Sequence, residues 1–356
     1  MKLVDQFQVI APTRADLAGG TLDLWPLYCL IPSSCTLNIA LDLFASVDFE
    51  VFESDECEVE VQTGQFSYSM KNIKQEINWE RVPAALKFPV FVVRQFLLLQ
   101  ESLPKNLIRI KFRSSVPQGS GLGGSSTLLV AIGRGLCRVC TDYVEQGWQW
   151  RFLNWAKDTE GAFLKVPTGT QDYLAAIFGG LHGYRFELGR IQKTSFHPSV
   201  FEQINDRMLV VFSGEQHHSG ISNWEVYKKA VEGNKDVLAG LKTISEIAIS
   251  LDKEFRQDSV AWSQVGKLLD EEWKVRKTTF QVNTPTLDKV LEQIRKHGAM
   301  GLKVCGAAQG GSVLVLVEPS RKQKMIEGLN QQGLQILKTT GTRVGVTIRE
   351  ESFDMD

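Results

Sequence analysis

No stretch of this chain is apolar for long enough to cross a bilayer, which takes ~20 residues. The most apolar run, residues 91–99, is short and interrupted by Arg94. The first ten residues lack the apolar core of a secretory leader, so the expectation is a soluble, cytoplasmic protein without membrane contact. Charge of one sign is also lacking. The formal net charge is −1, so no overall field draws the chain to nucleic acid. Cysteine is scarce, with six residues at 29, 35, 57, 137, 140 and 305. Only Cys137 and Cys140 have zinc-like spacing, and no second pair completes the site. They lie one helical turn apart in an apolar stretch, which reads as buried core thiols.

What is present is an ordinary globular composition, 356 residues with 43% hydrophobic and 9% aromatic side chains, which suggests two domains. Strands are expected at 8–11, 44–51 and 107–112, where apolar residues alternate with polar ones, and helices at 125–139 and 148–163. Residues 175–186 are apolar and glycine-rich, and 187–206 are polar. The domain boundary is placed there, giving 1–200 and 201–356. A strand begins at Met208, followed by helices at 222–251, 260–275 and 286–297. A strand at 312–317, a helix from Ser320 and a last strand at 343–348 close the chain. Helices over a small sheet make the expected class α+β.

The strongest chemical signal is the segment Pro117, Gln118, Gly119, Ser120, Gly121, Leu122, Gly123, Gly124, Ser125 and Ser126. Its glycines let backbone approach an anion closely. The helix that follows offers free N–H groups and the positive end of its dipole to phosphate. Ser125 and Ser126 add hydroxyls for phosphate or for magnesium, which prefers oxygen ligands. Gly119, Gly121 and Gly124 also satisfy G-x-G-x-x-G, a weak dinucleotide match without a strand directly before it. No lysine follows as in a P-loop, and the H-R-D and D-F-G of protein kinases are missing. A glycine turn with no ligand is the bland alternative.

Three further segments accompany the loop. Residues 11–23 bring Arg14, Asp16, Gly19, Gly20 and Asp23 together, either as a pocket wall or as a solvated turn. Asp172 stands before an apolar run, as an active-site acid or as a helix N-cap. Residues 303–311 form a second glycine-rich loop or a tight hairpin.

In this order the segments resemble the three motifs of the GHMP kinases (galactokinase, homoserine kinase, mevalonate kinase and phosphomevalonate kinase). Residues 11–23 are similar to A-P-x-R-x-x-x-x-G-x-x-x-D, residues 117–125 to P-x-G-x-G-L-G-S-S, and residues 303–311 to K-x-C-G-A-G-x-G-G. Gly124 and Ala308 depart from the second and third. Ala18 to Gly20, the stretch 169–173 followed by Phe178, Gly179 and Gly180, and Leu268, Leu269 and Trp273 resemble the D-glycero-D-manno-heptose 7-phosphate kinase and fucokinase branch.

The resemblance implies a two-domain fold, with a left-handed βαβ unit in the N-terminal domain and a ferredoxin-like C-terminal domain. It implies ATP and Mg²⁺ as cofactors, and phosphate transfer to a hydroxyl of a sugar or sugar phosphate. Such transfer needs alignment and charge neutralisation more than covalent chemistry. Asp172 matches the acid beside the acceptor hydroxyl, and Arg14 the cation between that acid and the γ-phosphate. Residues 117 and 119–126 match the nucleotide loop. Asp16, Gly20, Asp23 and Gly310 match substrate contacts, and Ser125 and Glu160 the metal ligands. Glu160 also reads as a solvent-facing helix residue. His217, His218 and Arg185 read equally as contacts for a substrate phosphate or as exposed loop residues. A mevalonate-type or other non-sugar alcohol kinase, or a catalytically silent relative, are the alternatives. The partners expected are a small-molecule substrate and at most a second copy of the chain, as monomer or homodimer.

Overall fold

The computed structural model describes residues 1–140, 147–215, 219–306 and 311–350. The chain opens with two long strands, β1 (Leu3–Ala18) and β2 (Cys35–Glu53), around the short helix α1 (Leu27–Leu30). A hairpin of β3 (Glu58–Thr63) and β4 (Phe66–Met70) leads through α2 (Lys87–Leu98) to β5 (Asn106–Ser114). Strands β3 and β5 are parallel, so α2 is the crossover of a βαβ unit. Helices α3 (Gly124–Val139), α4 (Trp148–Leu164) and α5 (Gln171–Phe178) follow, then β6 (Leu181–Glu187) and β7 (Arg190–Ser195). The large sheet runs β12-β1-β2-β5-β3-β4, with β6 and β7 continuing from the first half of β2.

The second half contains α6 (Pro198–Arg207), β8 (Met208–Phe212), α7 (Ser219–Val231), α8 (Lys235–Glu254), α9 (Trp262–Val275) and α10 (Pro285–Lys296). It continues with β9 (Gly301–Val304), β10 (Ser312–Leu316), α11 (Pro319–Gln331), β11 (Gln335–Leu337) and β12 (Thr347–Glu350). Its small sheet has the order β11-β8-β10-β9 with every pair antiparallel, which is the ferredoxin-like arrangement.

Two expectations are corrected. The helix read over 222–251 is two helices, because Gly233 takes φ 80° and Asn234 caps α8 by accepting the Val237 N–H at 3.0 Å. The last strand belongs to the large sheet: β12 pairs with β1 from Phe7 opposite Glu350 to Ile10 opposite Thr347. The segment 201–356 is therefore not confined to the small sheet. Backbone bonds lead the chain back, with Thr342 N–H on the Ala40 carbonyl at 2.9 Å and Val346 N–H on that of Ala176 at 2.7 Å.

One core lies between α3 and the large sheet and includes Val9, Phe49, Ile110, Leu129 and Phe152. Cys137 and Cys140 are part of it as buried side chains, and burial pushes the Cys137 thiol up to about 12. A second core joins the two halves, with Leu17 and Leu37 packed among Leu251, Leu268 and Leu314. Because side chains alternate along β1, Ala15 and Leu17 enter that core while Arg14 and Asp16 share the opposite face. That alternation delivers the charged residues to the site.

Candidate active site

The glycine loop connects β5 to α3. Gly119, Gly121 and Gly123 take φ of 70°, 73° and 79°, a region open to glycine at little cost. No side chain caps α3 at Gly123, so the first N–H groups of the helix remain available to an anion. The Leu122 side chain is in the core, and its carbonyl accepts the Arg14 N–H at 3.1 Å. The Ser120 carbonyl accepts the Ser312 N–H at 2.7 Å, which ties the loop to β10. Within the third motif, Gly306 and Gly311 take φ of 69° and 83°. Gly310, Ala308 and Gln309 lie outside the described residues, as do His217 and His218.

Arg14 joins the loop to the acid. Its Nε donates to Asp172 Oδ1 at 2.8 Å, its Nη2 lies 2.6 Å from the same oxygen, and its Nη1 donates to the Gly121 carbonyl at 2.6 Å. Burial would lower the Arg14 pKa, but the charges of Asp172 and Asp16 hold it above its ordinary value. Arg14 is 4% exposed and Asp172 24%, so the carboxylate keeps one open side. Asp172 stands in the first turn of α5, beside the positive end of the helix dipole. A Cβ on Gly123 would stand 3.0 Å from Asp172 Cγ, so a side chain there would crowd loop and acid.

Asp23 reaches α5 from the other side, its Oδ2 accepting the Gln171 N–H at 2.9 Å. Burial raises its pKa to about 6, against the Gln171 N–H and with the help of the Asp172 charge. Glu160, on α4, is buried and accepts the hydroxyls of Tyr173 and, at 2.7 Å, Ser126. Burial raises its pKa also, while hydroxyls including that of Ser125 oppose the shift. Among the described residues no Lys or Arg forms an ion pair with Glu160. A buried carboxylate surrounded by hydroxyls suits a hard divalent cation, so these residues fit magnesium. The solvent-facing reading of Glu160 is overturned, because α4 packs that face against α5.

Asp16 and Gly20 are placed differently from the expectation of substrate contacts. Asp16 has no exposed surface, and its Oδ2 lies 2.5 Å from Lys303 Nζ. Burial would raise its pKa, but Lys303, Arg276 and Arg14 hold it below the usual carboxylate range. A Cβ on Gly20 would meet Asp16 Oδ2 at 2.3 Å and Arg276 Nη2 at 3.1 Å, so this glycine is enclosed. Both residues lie beneath the site rather than on its surface. Arg185 is paired with Asp252 at 3.2 Å.

Sequence reasoning gave Tyr173 no role as the support of Glu160 and gave Lys303 none beyond its place at the head of the third motif, and it missed Glu272 and Arg276 altogether. Glu272 and Arg276 have i,i+4 spacing, the pattern of a solvated helix pair, and nothing in that pattern shows burial.

A glycine loop with free N–H groups, next to an arginine-held acid, is the equipment of a phosphotransferase. Two family models match the chain, the GHMP kinases N terminal domain over residues 90–180 and the GHMP kinases C terminal over 258–335. The chain belongs to the GHMP kinases, ATP-dependent enzymes that phosphorylate a hydroxyl acceptor. It is 23% identical over 345 residues to a D-glycero-alpha-D-manno-heptose 7-phosphate kinase of Campylobacter jejuni, covering 94% of this chain and 96% of the relative. Its fold matches the crystal structure of a D-glycero-D-manno-heptose 1-phosphate kinase from Bacteroides thetaiotaomicron with a TM-score of 0.73 at 22% identity, over 97% of this chain and 99% of that one. It matches Lactococcus lactis galactokinase complexed with galactose with a TM-score of 0.76 at 12% identity, over 96% and 95% of the two chains.

Proposed function

We propose that this chain transfers the γ-phosphate of ATP to a hydroxyl of a sugar or sugar phosphate, of the heptose phosphate or hexose kind. The observation that carries this reading is the position of Arg14, which grips Asp172 with two nitrogens and the Gly121 carbonyl with a third. An acid that accepts the acceptor's proton is thereby held beside the loop that receives the nucleotide phosphates.

In this reading the loop of residues 117 and 119–126 binds the triphosphate through its backbone and the α3 N-terminus. Ser125 and Glu160 hold Mg²⁺, which when bound neutralises phosphate charge. Asp172 orients the acceptor hydroxyl and takes its proton, and Arg14 holds that carboxylate in place and stabilises the transferring group. Asp23 accepts hydrogen bonds from neighbouring acceptor hydroxyls. Two carboxylates on this wall suit a polyol, whereas a carboxylic acid substrate requires a basic wall.

The test is ADP release with Mg-ATP against a panel of hexoses, L-fucose, heptose phosphates and mevalonate. Turnover with a sugar or sugar phosphate supports the proposal. Turnover with mevalonate alone moves the substrate class, and failure to bind ATP refutes the kinase reading.

A further inference from the structure

Arg276 begins a single π turn, Arg276–Phe280, at the end of α9, and such turns are frequent at functional positions. It belongs to a buried quartet of two acids and two bases. Lys303 Nζ lies 2.5 Å from Asp16 Oδ2 and 3.3 Å from Glu272 Oε1, and Arg276 Nε donates to Glu272 Oε1 at 2.9 Å. All four side chains are at most 2% exposed. The charges cancel, yet burying them costs several kcal/mol per ion before pairing, and apolar residues of the same volume often do as well or better. Stability alone is therefore a weak reason for the quartet.

Apart from Lys303 Nζ donating to the Asp16 carbonyl at 3.3 Å, its other hydrogen bonds among the described residues go to three consecutive residues of one turn. Glu272 Oε2 accepts the Gly19 N–H at 3.0 Å. Arg276 Nη2 donates to the Gly20 carbonyl at 2.5 Å, and Nη1 to Thr21 Oγ1 at 3.4 Å. Thr21 has φ 80°, a region that a β-branched residue occupies only under strain. Its hydroxyl also donates to Asn223 Oδ1 at 3.2 Å. The torsion φ of Thr21 relates the Gly20 carbonyl to the rest of Thr21, and the guanidinium contacts both sides of that bond. Two residues later stands Asp23.

We propose that Arg276 is a positioning residue, a clamp from the second half of the chain that holds Thr21 left-handed and thereby sets Asp23 against α5 for the acceptor. This rests on the reading of Asp23 as an acceptor contact. Lysine at 276 keeps the charge but cannot reach both sides of the Thr21 bond, because it lacks the planar fork.

Two measurements test the clamp. Crystal structures of the wild type and Arg276→Lys are compared first. The expected result is that Thr21 leaves the left-handed region in the variant and Asp23 loses the Gln171 N–H; retention of both overturns the proposal. Kinetics with D-glycero-D-manno-heptose 7-phosphate and D-galactose as acceptors follow. Arg276→Lys is expected to raise acceptor KM about tenfold, with ATP KM within about twofold, the size expected when ~1.4 kcal/mol of positioning is lost. Adding Thr21→Gly, which removes the strain, is expected to recover most of that loss. An equal rise in both KM values, or no recovery in the double variant, overturns the clamp. Asp23→Ala separates the two readings. If it leaves acceptor KM unchanged, the role given to Asp23 falls, while the crystallographic comparison still decides the clamp.

Discussion

Asp23 holds a carboxylate where the fold opposes its charge, and removing that charge is expected to stabilise the protein while damaging acceptor binding. The carboxyl titrates at about 6 when folded, against 3.8 for the free group, chiefly because it is buried. A gap of about two units at ~1.4 kcal/mol each makes the ionised form cost ~3 kcal/mol at neutral pH. Between pH 3.8 and 6 the native state holds a proton that the unfolded chain has released. Stability from this group therefore falls as pH rises through that window, stays at its lowest above pH ~6, and recovers fully below pH ~4. Asp23→Asn removes the penalty and keeps an oxygen for the Gln171 N–H, though the new amide N–H takes back ~1 kcal/mol. The net gain of ~2 kcal/mol corresponds to a Tm rise of about 3 °C for a chain of 356 residues. Thermal melts from pH 7.5 to 4.5 are the assay, with the advantage shrinking as the pH falls. No gain at pH 7.5, or a gain independent of pH, would refute the argument. The same variant is expected to raise acceptor KM, so the site trades stability for recognition.

Three other outcomes are expected. Asp172→Asn lowers kcat by about 10³-fold with ATP binding retained, measured by ADP release and by nucleotide titration; wild-type turnover removes Asp172 from the chemistry. Tyr173→Phe releases Glu160 from its hydroxyl partner and weakens Mn²⁺ binding about tenfold, read by paramagnetic resonance without turnover; an unchanged Mn²⁺ isotherm contradicts the metal assignment. Gly135→Ala brings a Cβ to 2.1 Å from the Phe49 ring and costs ~1–3 kcal/mol, seen as a lower urea midpoint, with no shift expected if α3 has room to move.

Much of the site was legible from local pattern. Glycines at 119, 121 and 123 next to a helical apolar period announce a tight turn that opens a helix, because both features are set by neighbours in the chain. Arg14 and Asp172 are 158 residues apart in sequence yet form one ion pair. Only their motif resemblance, not their spacing, joined them beforehand. Helices 125–139 and 148–163 were legible for the same local reason. The break at Gly233 was overlooked because the apolar period continues across it.

The sequence by itself determined the class of chemistry: the loop, the acid, the cation, and the two-domain α+β architecture that presents them. Tertiary structure alone decided how each charge is buried and what it is paired with. Asp16 and Asp23 look alike on paper, two acids in one short segment. Strand β1 carries Asp16 into contact with Lys303 of the other half, while the turn at Gly19–Thr21 lifts Asp23 against α5. Burial and pairing depend on elements nearly 300 residues away, and no local pattern encodes that distance.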